Sequence, residues 1–317
     1  MRIARVLLLI VAAAIVGTNF VPHHEPDPAK PFLALFSHLM PAPLVTNGDA
    51  MHHGEAPHYL VPPITISATE SNSRIDGAPF PEFPGTQFVF TNLQLFQVTA
   101  VLLLLICFSG VPGYLRTGKG DRLTRIFAGF AMWVRDEMVY PVMGKEVGKK
   151  FLPYFLSIFF FILFMNVIGL VPGTATATAS IFVTAGLALL TLVVMLFGGM
   201  IAQGPVAYWK TLVPHVPIAI WPIMFVVEFV GIFVKPFALM IRLFANMTGG
   251  HMVVLSFMGL LFLMAHGLGN LAWAGSPIVV GFSVFIMIIE SFVALLQAYV
   301  FTMLSILFIQ ASIHPEH

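Results

Sequence analysis

Four charged residues interrupt two long apolar segments near the C-terminus: Glu228, Lys235 and Arg242 in the first, and Glu290 in the second. A charged group deep in a bilayer costs at least about 2.5–3.5 kcal/mol, so such residues line a pathway or pair internally. Glu228 and Lys235 lie nearer one end of their segment, where snorkelling to the interface is the plainer alternative. Arg242 lies deeper, with no carboxylate within one helical turn. A guanidinium stays charged and cannot relay a proton. It suits an electrostatic barrier, and a passing counter-ion for a mobile carboxylate. His251 and Glu290 suit different work. An imidazole titrates near neutral pH and couples to a neighbouring carboxylate, which makes the pair fit for proton relay. For His251 alone, a hydrogen-bonded packing role is the simpler alternative.

The spacing brings these groups together. An antiparallel hairpin turning near Asn270 sets Arg242 opposite Gln297 and His251 opposite Glu290. At about 100° per residue, His251 falls on the face of its helix opposite Arg242, about 13 Å along the axis. Glu290 and Gln297 share a face, about 10 Å apart. One pair can therefore face a neighbour while the other faces a second compartment.

The elements that must position these residues are membrane helices. Hydrophobic residues make up 58% of the chain and charged residues 9%, where a soluble domain carries roughly 25% charged. No Asp, Glu, Lys or Arg occurs from Phe151 to Trp209, or from Leu243 to Ile289, and a spanning helix needs about 20 mostly apolar residues. The pattern predicts an all-α integral membrane protein with five transmembrane helices. The first four start near Leu95, Tyr154, Ile181 and Ile223, and the last runs over about Pro277–Ile313. Eight of the fifteen Lys and Arg residues fall between Arg116 and Lys150, which puts that stretch on the cytoplasmic side. Apolar residues among those charges (Ile126, Phe127, Phe130, Trp133) predict a cytoplasmic interfacial helix. The N-terminus is then outside and the C-terminus inside. The two final segments outlast the hydrocarbon core, so this C-terminal hairpin must tilt, kink or run partly sideways.

Three regions follow. Residues 1–20, with Arg2 and Arg5 before an apolar run from Val6 to Val16, read as a signal sequence; an uncleaved anchor is the alternative. Residues 21–94 are rich in Pro and His and are expected to be an irregular extracytoplasmic extension. Residues 95–317 form the membrane domain.

The run from Glu228 through Arg242-Leu-Phe-Ala-Asn246 to His251 resembles the signature of subunit a of the F-type ATP synthase. The closing run from Glu290 through Gln297 to Tyr299 is similar to the same family, as is Phe164-Met-Asn166-Val-Ile-Gly-Leu-Val-Pro172. The resemblance covers about Leu95 to the C-terminus. It implies a proton channel whose two tilted helices lie against a ring of c subunits, each bearing a membrane carboxylate. Arg242 matches the family's essential arginine between two half-channels, and Asn246 and Gln297 match polar residues near it on the ring-facing side. His251 and Glu290 match the outer half-channel pair, and Glu228 matches a carboxylate of the cytoplasmic half-channel. The partners so implied are the c-subunit ring, peripheral-stalk subunit b, the rest of the F-type ATP synthase complex and the lipid bilayer.

Two departures qualify the resemblance. Some bacterial members carry the acid and the histidine in the reverse order. The outer turn from Pro172 to Ser180 also lacks the acids that some members place near it.

Other functions are poorly served. No Gly-Lys-Ser/Thr phosphate loop occurs, so nucleotide chemistry belongs to partner chains and this chain is expected to be non-catalytic. Near-zero net charge suggests no nucleic acid, and the single cysteine, Cys107, supplies no disulfide framework. The N-terminal histidines lack helix-spaced ligand sets, so no metal or cofactor is expected. A self-contained secondary transporter or cation channel is the alternative, but no duplicated halves are evident.

Overall fold

Long apolar stretches with no water to bond their amides must satisfy the backbone internally, and here they do so as helices. The computed structural model describes residues 64–67, 86–88, 92–171, 176–211, 217, 220–268 and 272–314. The signal-like segment and most of the N-terminal extension lie outside the described residues. The part of the extension that is described is an antiparallel pair, β1 (Ile64–Ser67) and β2 (Thr86–Phe88), with Ile64 opposite Phe88. Irregular chain was expected there.

Helix α1 (Asn92–Phe108) is followed after Gly110 by the short α2 (Val111–Thr117). Next comes α3 (Arg122–Trp133), which passes through a π-helical turn, Val134–Val139, into α4 (Tyr140–Gly169). Gly144 breaks α4 near its start with φ 72° and ψ 169°, a conformation that a side chain would strain. The chain can there leave the amphipathic α3, with exposed Ile126, Phe130 and Trp133, and enter the span. The helix starts well before Tyr154, at Tyr140, and its early turns carry Lys145, Lys149 and Lys150 exposed.

A 3₁₀ turn, Ala177–Ala179, leads to α5 (Ile181–Gln203). Gly204, at φ 88°, turns the chain into the short α6 (Pro205–Thr211), whose Pro205 occupies a first position where a missing N–H costs nothing. Two long helices finish the chain: α7 (Trp221–Leu268) and α8 (Ala272–Ile313). At 1.5 Å per residue they run about 72 and 63 Å, against an apolar core of ~30 Å.

Among the described residues five helices are long and apolar enough to cross a membrane. Only 22–44% of the residues in their most apolar windows are buried, and large side chains such as Phe182 (85% exposed) and Ile201 (82%) point outward. A soluble core would hide them; a bilayer solvates them.

The interior lies where α4, α5 and α7 meet α8. Phe155, Phe159, Phe160, Ile162 and Met165 of α4 are fully buried, as are Leu239, Leu243 and Met247 of α7 and Phe301 and Ile306 of α8. Small residues on α8 (Ala294, Ala298, Thr302 and Ser305, all fully buried) let the neighbouring helices approach closely. Such packing drives helix association when lipid removes any hydrophobic preference. Phe108, Phe127, Phe160 and Phe164 tie α1, α3 and α4 together through tilted and edge-to-face contacts, with ring centroids 4.7–6.1 Å apart.

Candidate functional site

The polar groups of the long helices fall into three zones along α7. The first is a largely buried cluster toward the α7–α8 turn. His251 Nε2 lies 3.6 Å from Glu290 Oε1, with side chains 14% and 4% exposed. Thr176, just ahead of the 3₁₀ turn, brings its hydroxyl against His251 Nε2 and donates to the Gly169 carbonyl at 3.2 Å. Glu290 Oε1 is buried and makes no hydrogen bond among the described residues.

Gly250 explains how the two helices come so close. A Cβ there would sit 2.7 Å from Glu290 Oε1 and 2.8 Å from its carboxyl carbon. The cluster is walled by Asn166, whose Nδ2 donates to Ala294 O at 3.2 Å and whose Oδ1 accepts from Thr178 Oγ1 at 2.8 Å. Asn166 and Thr178 are both fully buried. Placing a polar amide there without these partners would cost several kcal/mol, on the order of 2–7.

The second zone centres on Arg242. It is exposed on α7, within a strip of exposed Phe237, Ala238, Ile241, Ala245, Asn246 and Gly249. Among the described residues it forms no ion pair. One turn further on, Asn246 Nδ2 donates to Gln297 Oε1 at 2.8 Å. The expected facing of Arg242 and Gln297 is thus replaced by Asn246 with Gln297. The cause is the lean of helical side chains toward their own N-terminus. In an antiparallel hairpin, Asn246 and Gln297 lean toward each other, and Arg242 leans away. Gln297 Nε2 remains buried without a partner among the described residues.

The third zone is a cavity of about 680 Å³ at the opposite end, lined by Glu228 and Lys235 of α7, Gln310 of α8, His314 just past the end of α8, and Gln203, Tyr208 and Thr211. Lys235 Nζ lies 6.0 Å from the Phe308 ring centroid, a cation–π distance. Gln310 Oε1 is buried and unpaired among the described residues. The α5–α6 turn closes this end. Gln203 Nε2 donates to Ser312 O at 2.8 Å and Thr211 Oγ1 donates to Gln203 Oε1 at 2.6 Å, so the last carbonyls of α8 are capped.

Of the sequence-derived site residues, the fold brings His251 to Glu290 and Asn246 to Gln297, with Arg242 and Glu228 apart from both pairs. Sequence reasoning missed Thr176, Thr178, Gln203, Tyr208, Gln310 and His314. Gln203 and Gln310 were detectable as lone amides in apolar helices; a threonine in a Thr/Ala-rich turn carries no such signal. Among the described residues no group of three His, Cys, Asp or Glu is gathered as a metal site.

The family described as ATP synthase A chain matches residues 94–310. The chain is 47% identical over 186 residues to ATP synthase subunit a of Myxococcus xanthus, covering 59% of each chain. It is 38% identical over 231 residues to that of an Anaeromyxobacter species, covering 71% of this chain and 55% of the relative. With the subunit a of Pelodictyon phaeoclathratiforme the identity is 34% over 329 residues, covering 91% of this chain and 95% of the relative. The chain therefore spans less than two thirds of the first two relatives and nearly all of the third.

Proposed function

This chain belongs to the ATP synthase A chain family, and from that membership we propose that it forms two proton half-channels against a ring of c subunits. In this reading it couples proton flow to rotary ATP synthesis carried out on partner chains, and is itself non-catalytic. The observation that carries the reading is the order of zones along α7: a largely buried His–Glu cluster, an exposed arginine, then a polar cavity. From Glu228 to His251 is about 35 Å at 1.5 Å per residue, comparable to the ~30 Å hydrocarbon layer. The two polar zones can thus serve opposite faces of the membrane while Arg242 stands between them.

Each residue has a task. His251 and Glu290 pass protons in the outer half-channel. Arg242 holds a positive charge in a strip of apolar and small residues over which a ring of helices can slide. It attracts each arriving ring carboxylate in its charged form and bars a direct proton path. Asn246 and Gln297, one turn away, keep the polar route continuous from Glu290 toward the arginine. Glu228, in the polar cavity, exchanges protons with the cytoplasm.

The basic stretch from Arg116 to Lys150 assigns the Glu228 end to the cytoplasm, by the positive-inside rule. The C-terminus is then inside, in a bacterial inner membrane. Residues 1–20 act as a signal-like segment, 21–94 as an extracytoplasmic extension, and 95–317 as the membrane domain; subunit b is the expected stator partner.

The test is Arg242→Ala in the whole complex, reconstituted into vesicles. ATP-driven acidification is expected to fall at least about a hundredfold, the loss that follows from raising a barrier by two factors of ten. Pumping near the wild-type rate would overturn the role.

A further inference from the structure

We propose that Thr176 is a working part of the outer proton site, its hydroxyl serving His251 Nε2 in both protonation states of that nitrogen. The inference rests on the proton-channel reading above and names a residue that reading does not use. Thr176 is 1% exposed. Its Oγ1 is held between two fixed partners, the Gly169 carbonyl at 3.2 Å and His251 Nε2.

A hydroxyl has one hydrogen and two lone pairs, and it rotates to suit its partners. When Nε2 carries a proton, Thr176 accepts that N–H and gives its own hydrogen to Gly169 O. When Nε2 has lost its proton, the hydroxyl turns and donates to the bare nitrogen. No proton is gained or lost by Thr176 in either state. The proton that Nε2 gives up passes to Glu290 Oε1, 3.6 Å away; the hydroxyl then turns its hydrogen from Gly169 O to the bare nitrogen, so Nε2 is paired before and after the transfer while the carbonyl gives up its bond to the hydroxyl in the second state.

The surroundings are shaped for this contact. A Cβ on Gly169 would lie 2.6 Å from Thr176 Cγ2 and 2.8 Å from its Cβ, so the glycine at the end of α4 is what lets the threonine side chain in. Ala177 and Thr178 behind it are buried as well, and Thr178 is tied to Asn166. The turn thus holds Thr176 in place from below. The titratable group facing His251 from the packed elements is Glu290 of α8; α4 and the turn contribute a carbonyl and hydroxyls.

The experiment compares three variants in reconstituted complex, reading ATP-driven acidification and passive proton flux. Thr176→Val keeps the shape and loses the hydroxyl; flux is expected to fall about fivefold or more, the equivalent of one hydrogen bond. Thr176→Ser keeps the hydroxyl and loses a methyl; it is expected to stay within about twofold of wild type. Gly169→Ala displaces the side chain and is expected to match Thr176→Val, with no further loss when the two are combined. A packing role predicts the reverse order, with Val tolerated and Ser impaired, and that result would overturn the proposal. So would wild-type flux in Thr176→Val. Should Thr176→Val fail to assemble, Thr176→Ala, which cannot overpack, is expected to show the same loss of flux, and wild-type flux there would overturn the proposal equally. Arg242→Ala is run alongside. If it pumps, the channel reading falls; if it is dead while Thr176→Val is normal, this inference alone falls.

Discussion

Around His251 and Glu290 the polar atoms are close-packed and walled by Asn166 and Thr178, which are matched to named partners. Around Glu228 and Lys235 they line a cavity of about 680 Å³. Both zones sit on α7 and α8, yet one fixes its geometry with side chains and the other leaves room for water. Where no water fits, each donor and acceptor must be supplied by the chain, so a change of a single atom matters. Where water fits, it can replace a lost partner at little enthalpic cost.

This contrast can be broken most directly at Glu290. Glu290→Gln preserves shape but cannot carry a proton. Proton flux is expected to drop at least about tenfold, below the usual range for loss of a positioned acid–base group. The exposed, ion-paired Asp136, 2.8 Å from Arg135, gives the control: Asp136→Asn leaves flux unchanged. Equal losses at the two positions would end the distinction between a buried relay and a surface acid.

The matched change in the wet zone is Glu228→Gln. Because water in the cavity can still carry protons past the amide, flux is expected to fall by about threefold or less. A loss as large as that of Glu290→Gln would mean that the cavity, too, depends on one fixed carboxylate.

The smallest effect is expected outside both zones. Tyr154 OH lies 3.0 Å from Thr191 Oγ1 between α4 and α5. Tyr154→Phe should lower thermal stability in detergent by about 0.6 kcal/mol, typical of hydrogen bonds between membrane helices, and leave proton flux intact. A flux defect there would extend the buried zone toward α5.

Much of this arrangement was legible in the sequence. A chain that is 9% charged cannot hide the ionisable groups in its apolar segments, so Arg242, Glu228, His251 and Glu290 stood out against apolar helices. The hairpin register followed from a turn placed near Asn270, and the His251–Glu290 pairing came out as that spacing indicated. The exchange of Arg242 for Asn246 opposite Gln297 was not legible, because residue numbers give axial position but not the lean of side chains. Gly144, which breaks α4 near its start, was equally silent, since a glycine in a basic stretch reads as an ordinary one. The cavity at Glu228 is made by segments distant in sequence, and no local pattern announces it.

What the sequence by itself determined is the number of helices long and apolar enough to cross a membrane and the few polar groups that face one another across the last two helices. These depend on burial cost, which is set by residue type and spacing. What only the tertiary structure decided is which polar atoms touch: that Thr176 meets His251, that Gly169 and Gly250 admit their neighbours, and that Arg242 stands exposed on a face of its own. Such contacts depend on distances of a few tenths of an ångström between segments far apart in the chain. Only the packing of one helix against another fixes distances that fine.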